Sequence, residues 1–383
     1  MQNKVLLIAT VQSHICQFHK PLVKMLHDHG YEVHVAARNN LAEKNGLKLD
    51  FVDKIYDFPF ARSPLSMSNL KAFKMLKNLI DRGNYEVIHC NTPVGGILTR
   101  LASLKARRYG AKVIYTAHGF HFYEGAPLKN WVIFYPIEKL FSYLTDCLIT
   151  ITDEDDRLAK RRFTCNIRRI HGVGVDPQKF HPIKEEEVVS RRVQEGLDSD
   201  DYVILCVGEL RKNKNQAVLI KTASVLKKKI PNLKILLAGN GPMQDNLEMM
   251  IAKYHLEDTV VMLGYRPDLY QITPIADLIV SCSYREGMPL NIIEGMLCKK
   301  PVIASINRGH KELVSDGDTG YLFKPDDAEL LAKRIYNVIK KPSLARRMGD
   351  LGYQKAQKYS NISVYNELEE IYLELCSGFS EVK

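Results

Sequence analysis

Short apolar runs alternate with amphipathic segments in this chain, and the whole alternation occurs twice. The first series is 4–10 (KVLLIAT), 32–37 (EVHVAA), 86–90 (EVIHC), 112–117 (KVIYTA) and 147–152 (CLITIT), with helical patterns such as 18–29 and 70–82 between its members. Runs that are apolar at every position suit strands covered on both faces, and the intervening helices make the sheet parallel. A second series follows at 202–208 (YVILCVG), 234–239 (KILLAG), 259–264 (TVVMLG), 278–282 (LIVSC) and 301–305 (PVIAS). The pattern therefore predicts an α/β protein of two tandem, doubly wound, Rossmann-like domains. A length of 383 residues agrees, because single cores stop growing at about 250–300 residues.

The segment GVGVDPQKFHPIKEEE combines glycine, proline and a charge run, which marks a linker. The expected domains are 1–182 and 183–355, with a helical segment 356–383 packing back toward the first domain. The opening MQNKVLLIAT has no small-residue cleavage site and is expected to be a first strand, not a signal peptide. No run reaches the ~18 apolar residues of a membrane span. Eight cysteines stand singly, without a CxxC pair, and several sit inside apolar runs; they read as reduced, buried side chains of a cytoplasmic protein.

The net charge of +10 is unevenly placed. Residues 1–180 hold 26 Lys and Arg against 16 Asp and Glu, while the rest of the chain balances at 28 of each. The first half should therefore meet something anionic: a phosphorylated substrate, an acidic membrane or a nucleic acid.

In the second half, the run 202–208 leads into GELRKNKNQ, which puts Arg211, Lys212 and Lys214 beyond the carboxyl end of a strand. Open α/β sheets bind ligands there, and clustered cations suit a diphosphate; a solvated charged loop is the alternative. Gly239 and Gly241 in LLAGNGP allow either close approach of a ligand or a tight turn. The strongest local pattern is REGMPLNIIEGMLC at 285–298. Glu286 precedes a helix, Pro289 lies near its first turn, and the backbone N–H groups around Gly287, Met288, Leu290 and Asn291 converge at its start. Helix-dipole compensation accounts for Glu286. It does not account for Glu294, which lies among Ile292, Ile293 and Met296 and needs a polar partner such as a ribose diol or a sugar hydroxyl pair.

Together, EGMPLNIIE with its E-x7-E spacing, the GEL-x-K-N-K-N loop, the GNGP turn, and TAHGFHFYEGAP, HCNTPVGG and GVGVD in the first half resemble the GT4 family of glycosyltransferases, in its bacterial exopolysaccharide and capsule branch. The resemblance spans essentially the whole chain. It implies a GT-B fold with an inter-domain cleft and a retaining transfer from a nucleotide-diphosphate sugar, usually a UDP-sugar, bound mainly by the second domain. By resemblance, Glu294 takes the ribose hydroxyls, and Arg211, Lys214, Gly239, Gly241 and Arg266 serve the nucleotide and its diphosphate. Glu286 and the backbone of Gly287, Met288, Pro289 and Leu290 take the donor sugar. Many members carry arginine directly after the strand-ending glycine where this chain has Glu209, so Arg211 is expected to assume that role.

On the acceptor side, His118 follows the run 112–117 and is followed by Gly119; it resembles the family's active-site histidine. His121 lies close by. His14, His19 and Lys20 replace the glycine-rich loop common in the family and are candidates for a phosphorylated acceptor. The basic amphipathic segment 70–82 and the aromatic run NWVIFYP (130–136) suggest peripheral attachment to an anionic inner-leaflet surface. A polyprenyl-diphosphate-linked saccharide would account for both charge and apolarity.

Three acidic triplets, at 153–155, 198–200 and 316–318, resemble DxD sites but read as caps and turns, so no metal is expected. Two competing readings are a nucleotide-sugar epimerase or hydrolase, which gives no reason for a basic first domain, and a non-enzymatic anion or nucleic-acid binder. The latter lacks any aromatic-interleaved basic motif, so no nucleic-acid partner is expected.

Overall fold

A computed structural model describes residues 3–43, 46–376 and 379. The chain divides into two compact units, residues 1–174 with 361–383, and residues 175–360.

The first unit is built on a seven-stranded parallel sheet: β1 (Lys4–Val11), β2 (Glu32–Arg38), β3 (Lys54–Asp57), β4 (Val87–Asn91), β5 (Lys112–Ala117), β6 (Cys147–Thr150) and β7 (Asn166–Arg169), in the spatial order 3-2-1-4-5-6-7. Val5 pairs with Val33 on one side and Val87 on the other, so β1 is central. β1 and β4 are buried almost throughout, as their unbroken apolar runs require. The order reverses at β1, and the loops leaving β1 and β4 open side by side at the carboxyl edge, where such sheets bind ligands.

The second unit repeats the plan with six parallel strands: β8 (Tyr202–Val207), β9 (Leu233–Ala238), β10 (Val260–Gly264), β11 (Leu278–Ser281), β12 (Val302–Ser305) and β13 (Gly320–Phe323), in the order 10-9-8-11-12-13. Here the reversal falls at β8, so the 209–215 loop lies beside the 283–289 loop. The ten strands expected from apolar runs are all present. Three more, β3, β7 and β13, are all edge strands.

The first unit ends at Gly174, eight residues before the expected boundary at 182, and the chain returns to it at Asn361. The helix Asn361–Leu375 packs on the helix Lys20–Asp28: Tyr365 donates to Asp28 at 2.8 Å, and His29 pairs with Glu369 at 2.7 Å. Its Tyr372 hydroxyl reaches His89 Nδ1 at 2.8 Å.

The first core also holds a buried ion pair. Both terminal nitrogens of Arg100 donate to Glu138 at 3.0 Å, and the guanidinium lies over the Tyr115 ring. All eight cysteines are free thiols, seven of them buried. Among the described residues, no helix is long and apolar enough to cross a membrane.

Candidate functional site

In the second unit, two loops at the switch point are tied together. Tyr284 N–H donates to Asn213 O at 2.8 Å, Asn213 Nδ2 donates to Arg285 O at 3.0 Å, and Asn291 Nδ2 donates to Val207 O at 3.2 Å. Asp326 joins both loops, accepting from Asn215 at 3.1 Å and from the Tyr284 hydroxyl at 2.5 Å. This bracing sets Lys214 Nζ 2.6 Å from Glu286 Oε1. The ammonium and the carboxylate neutralise each other, so an arriving diphosphate competes with Glu286 for the lysine.

The helix Leu290–Leu297 follows, with Pro289 at its N-cap and no side-chain cap. Its first N–H groups, on Leu290 and Asn291, are thus available to a ligand oxygen. Met288 and Leu290 pack partly on the core, leaving their backbone as the polar element. Glu294 is half-buried in the same helix. Desolvation raises its carboxyl to about 7. A carboxylate enclosed in this way gains from hydroxyl donors, as a ribose diol would supply.

Four of the expected donor-site residues meet other parts of the second unit in the structure. Arg266 is committed to Glu195 and Asp268 through four contacts of 2.7–2.8 Å, which use four of its five donors. It forms an ion-pair anchor between the turn after β10 and the segment before β8. Gly239 and Gly241 are required by protein backbone: a Cβ on Gly239 would lie 2.1 Å from Gly208 O, and one on Gly241 would lie 2.5 Å from Leu210 O. They let the GNGP turn close onto the Gly208–Leu210 loop. Arg211 Nε pairs with Glu209 at 2.7 Å, and both side chains are exposed.

In the first unit, three histidines meet at the carboxyl edge. His14 lies in the helix Gln12–Phe18 after β1, His19 at the joint with the next helix, and His118 after β5. His14 Nε2 is 3.2 Å from His118 Nε2, which is 3.1 Å from Asn91 Oδ1. Asn91 Nδ2 donates to Ile8 O at 3.4 Å, which turns Oδ1 toward His118. His118 therefore carries its proton on Nε2, and His14 Nε2 is an acceptor. Among the described residues, His19 Nε2 is buried without a hydrogen-bond partner. Burial pushes His118 down to about 4 and His89 to about 3; His14 and His19 are also held well below the ordinary imidazole range, by burial first and neighbouring imidazoles second. All four are neutral at pH 7. A cavity of about 20 Å³, lined by His19, His89, Thr116 and His118 among others, has room for one water. His121 is not in this cluster; its ring stacks on Phe134 at 4.6 Å.

Two of the three acidic triplets are tied into local structure. Thr152 caps the helix Asp153–Arg162 by accepting from Asp155 N–H, and Asp316 and Asp318 pair with Arg334 and Arg347. Sequence reasoning missed Asn91, Asn213, Asn215, Tyr284 and Asp326. These polar residues lie in or beside strand-end loops, and such a position was the one available signal for them.

Two family descriptions match the chain: "Glycosyl transferase 4-like" over residues 4–152 and "Glycosyl transferases group 1" over residues 190–355. The Bacillus subtilis protein named glycosyltransferase EpsD is 41% identical over 97% of this chain and 97% of its own length. An Escherichia coli UDP-Gal:α-D-GlcNAc-diphosphoundecaprenol α-1,3-galactosyltransferase is 26% identical over 78% of this chain and 79% of its own. Anabaena HepE, solved with UDP and glucose, superposes with a TM-score of 0.77 at 20% identity, covering 97% of this chain and 100% of that one.

Proposed function

Because the chain belongs to the GT4 family of GT-B glycosyltransferases, we propose that it moves a hexose or N-acetylhexosamine from a UDP-sugar, with retention, to a polyprenyl-diphosphate-linked saccharide during exopolysaccharide or capsule assembly. The observation that carries the donor half is the braced pair of loops in the second unit, which brings Lys214, Glu286, the uncapped helix start and Glu294 together. UDP in the HepE structure and the UDP-galactose donor named for the Escherichia coli relative support this reading.

Lys214 and Arg211 exchange their carboxylate partners for the diphosphate, the helix start receives an oxygen of the transferred sugar, and Glu294 accepts the ribose hydroxyls. Glu286, released from Lys214, turns its carboxylate to the sugar hydroxyls and to the positive charge that develops at the anomeric carbon. A retaining double displacement on a protein nucleophile would need a carboxylate pair about 5–5.5 Å apart. Glu286 is the one carboxylate of the 283–289 loop and is paired with Lys214, so the leaving diphosphate is assigned the acceptor's proton in a same-face reaction. His118, which resembles the family's active-site histidine, is assigned the hydrogen bond to the transferred sugar, its Nε2–H exchanging Asn91 Oδ1 for a sugar oxygen. The reaction needs no divalent cation.

The diphosphoundecaprenol acceptor named for the Escherichia coli relative supports a lipid-linked acceptor. The first unit offers a surface for it. On the helix Leu128–Ser142, Trp131, Phe134 and Tyr135 pack toward the core while Leu128, Val132, Ile133 and Leu140 are exposed. Leu65, Met67 and Leu70 are exposed ahead of and within the helix Ser68–Gly83, beside Lys71, Lys74 and Lys77. Apolar side chains among lysines suit an anionic bilayer surface.

The test is calorimetric titration of UDP, GDP and ADP and their sugars, followed by transfer to a lipid-diphosphate saccharide. UDP binding that is lost in Glu294→Ala is expected. Absence of nucleotide binding, or binding indifferent to that substitution, overturns the donor assignment. Flotation with vesicles of anionic but not zwitterionic lipid checks the surface.

A further inference from the structure

We propose that His14, His19 and His118, with Asn91 beside them, form a binding site for a divalent cation of the zinc class, and that an ion held there blocks glycosyl transfer. The blocking rests on the role given above to His118; the binding does not.

The geometry is close to that of a coordination sphere. One ligating atom from each of the three histidines lies within 4.8 Å of the other two. Two ligands of a tetrahedral zinc ion, each about 2.05 Å from the metal, are about 3.3 Å apart. His14 Nε2 and His118 Nε2 stand 3.2 Å apart, and Asn91 Oδ1 stands 3.1 Å from His118 Nε2. Two edges of the tetrahedron thus have the required length before any ion arrives. His19 is the outlying ligand, and closing the set moves its nitrogen by at most about 1.5 Å, the difference between 4.8 Å and the ideal edge. It sits at the joint between two helices, where a side-chain rotation disturbs no helical hydrogen bond.

Packing accounts for part of the cluster. Phe18 meets His14 edge-on at 4.9 Å, and the His14–His118–Asn91 chain satisfies itself. It leaves His19 Nε2 buried without a hydrogen-bond partner among the described residues. A metal ion would take up that free ring nitrogen. His89, the fourth histidine nearby, is excluded because both its nitrogens are bonded, to Tyr372 and Thr116.

The chemistry matches as well. Three imidazoles and an amide oxygen suit zinc, copper, nickel or cobalt and not magnesium or calcium. His118 moves its own proton from Nε2 to Nδ1, gives the Nε2 lone pair to the metal, and loses the N–H that the transfer reaction uses.

The experiment is a titration of the full-length, EDTA-treated protein with Co²⁺, followed by visible absorption. Intense tetrahedral bands saturating near one equivalent, displaced by Zn²⁺ and not by Mg²⁺, are expected. Affinity should fall at least ~10-fold in His19→Ala and in His14→Ala and stay unchanged in His181→Gln, a surface histidine. Circular dichroism identifies any variant that fails to fold, and the other then carries the comparison. Absence of bands, or a titration indifferent to both substitutions, overturns the site. UDP calorimetry on the same samples separates the two readings. Co²⁺ binding without UDP binding leaves the site standing and refutes the donor assignment, and UDP binding without Co²⁺ binding does the reverse. Zn²⁺ that binds yet leaves transfer undiminished refutes the blocking.

Discussion

Replacing Glu294 with glutamine should stabilise the protein at alkaline pH and weaken its hold on nucleotide. The carboxyl has an ordinary value of 4.5 and is raised to about 7 by burial. Between these values the folded state holds a proton that the unfolded chain has released, so stability falls as pH rises from 4.5 to 7 and is level above. Each tenfold change in the proton equilibrium is worth about 1.4 kcal/mol, which sets an upper bound of about 3 kcal/mol at pH 8. Glu294 is half-buried, and solvent contact reduces the figure to about 1–2 kcal/mol. For a body of 150–250 residues this is a rise in melting temperature of roughly 3–6 °C.

Glutamine has the same shape and no charge, so it should remove the pH dependence. Scanning calorimetry at pH 5 and pH 8 is the assay. Glu294→Gln and the parent should melt together at pH 5, and the variant should melt higher at pH 8. Saturating UDP should then raise the parent's melting temperature and not the variant's. Because the ionised carboxylate is the stronger acceptor for hydroxyls, UDP affinity in the parent should rise with pH through 7. A variant that is no more stable than the parent at pH 8, or a gap of equal size at both pH values, refutes the burial argument.

Lys214→Ala removes a charge-assisted contact worth about 1.5–3 kcal/mol and should weaken UDP binding about 10- to 100-fold by calorimetry. Arg266→Ala should instead lower the melting temperature and leave UDP affinity within about threefold, since its donors are engaged by Glu195 and Asp268. Glu138→Gln leaves the enclosed Arg100 without its carboxylate and should cost about 3–5 kcal/mol in urea unfolding. Four neutral histidines in the first unit, all with depressed values, bind protons more readily once unfolded, so that unit should lose stability as pH falls from 6.5 toward 4. Trp131, the single tryptophan, reports on that unit, and a urea midpoint unchanged between pH 7 and pH 5 would contradict the assignment. Transfer activity should survive EDTA treatment.

Nine of the ten legible strands are central in a parallel sheet, bury both faces and are apolar along their length; the tenth, β10, is an edge strand that keeps an apolar run (VVML) although it is only partly buried. β3, β7 and β13 are edge strands too, and they were missed because, unlike β10, they carry no distinct apolar run. β3 (KIYD) is largely exposed and β7 (NIRR) has a single buried residue, so neither carries an apolar run. β13 lies in GYLF, directly after the turn-like SDGDT, and the whole stretch reads as a connector.

Local periodicity and spacing determined the two-fold α/β plan, the placing of Glu286 ahead of a helix and Glu294 within it, and the cap at Thr152. These depend on backbone geometry over a few residues, which amino-acid type alone biases strongly. Tertiary structure decided the partners. Arg266 finds Glu195 at a separation of 71 residues, Lys214 finds Glu286 at 72, and His14 finds His118 at 104. Each pairing depends on which strands lie side by side, and a cation read from sequence carries no mark of whether an internal carboxylate or a ligand will meet it. The charge was legible in the chain; its destination was set by the sheet order.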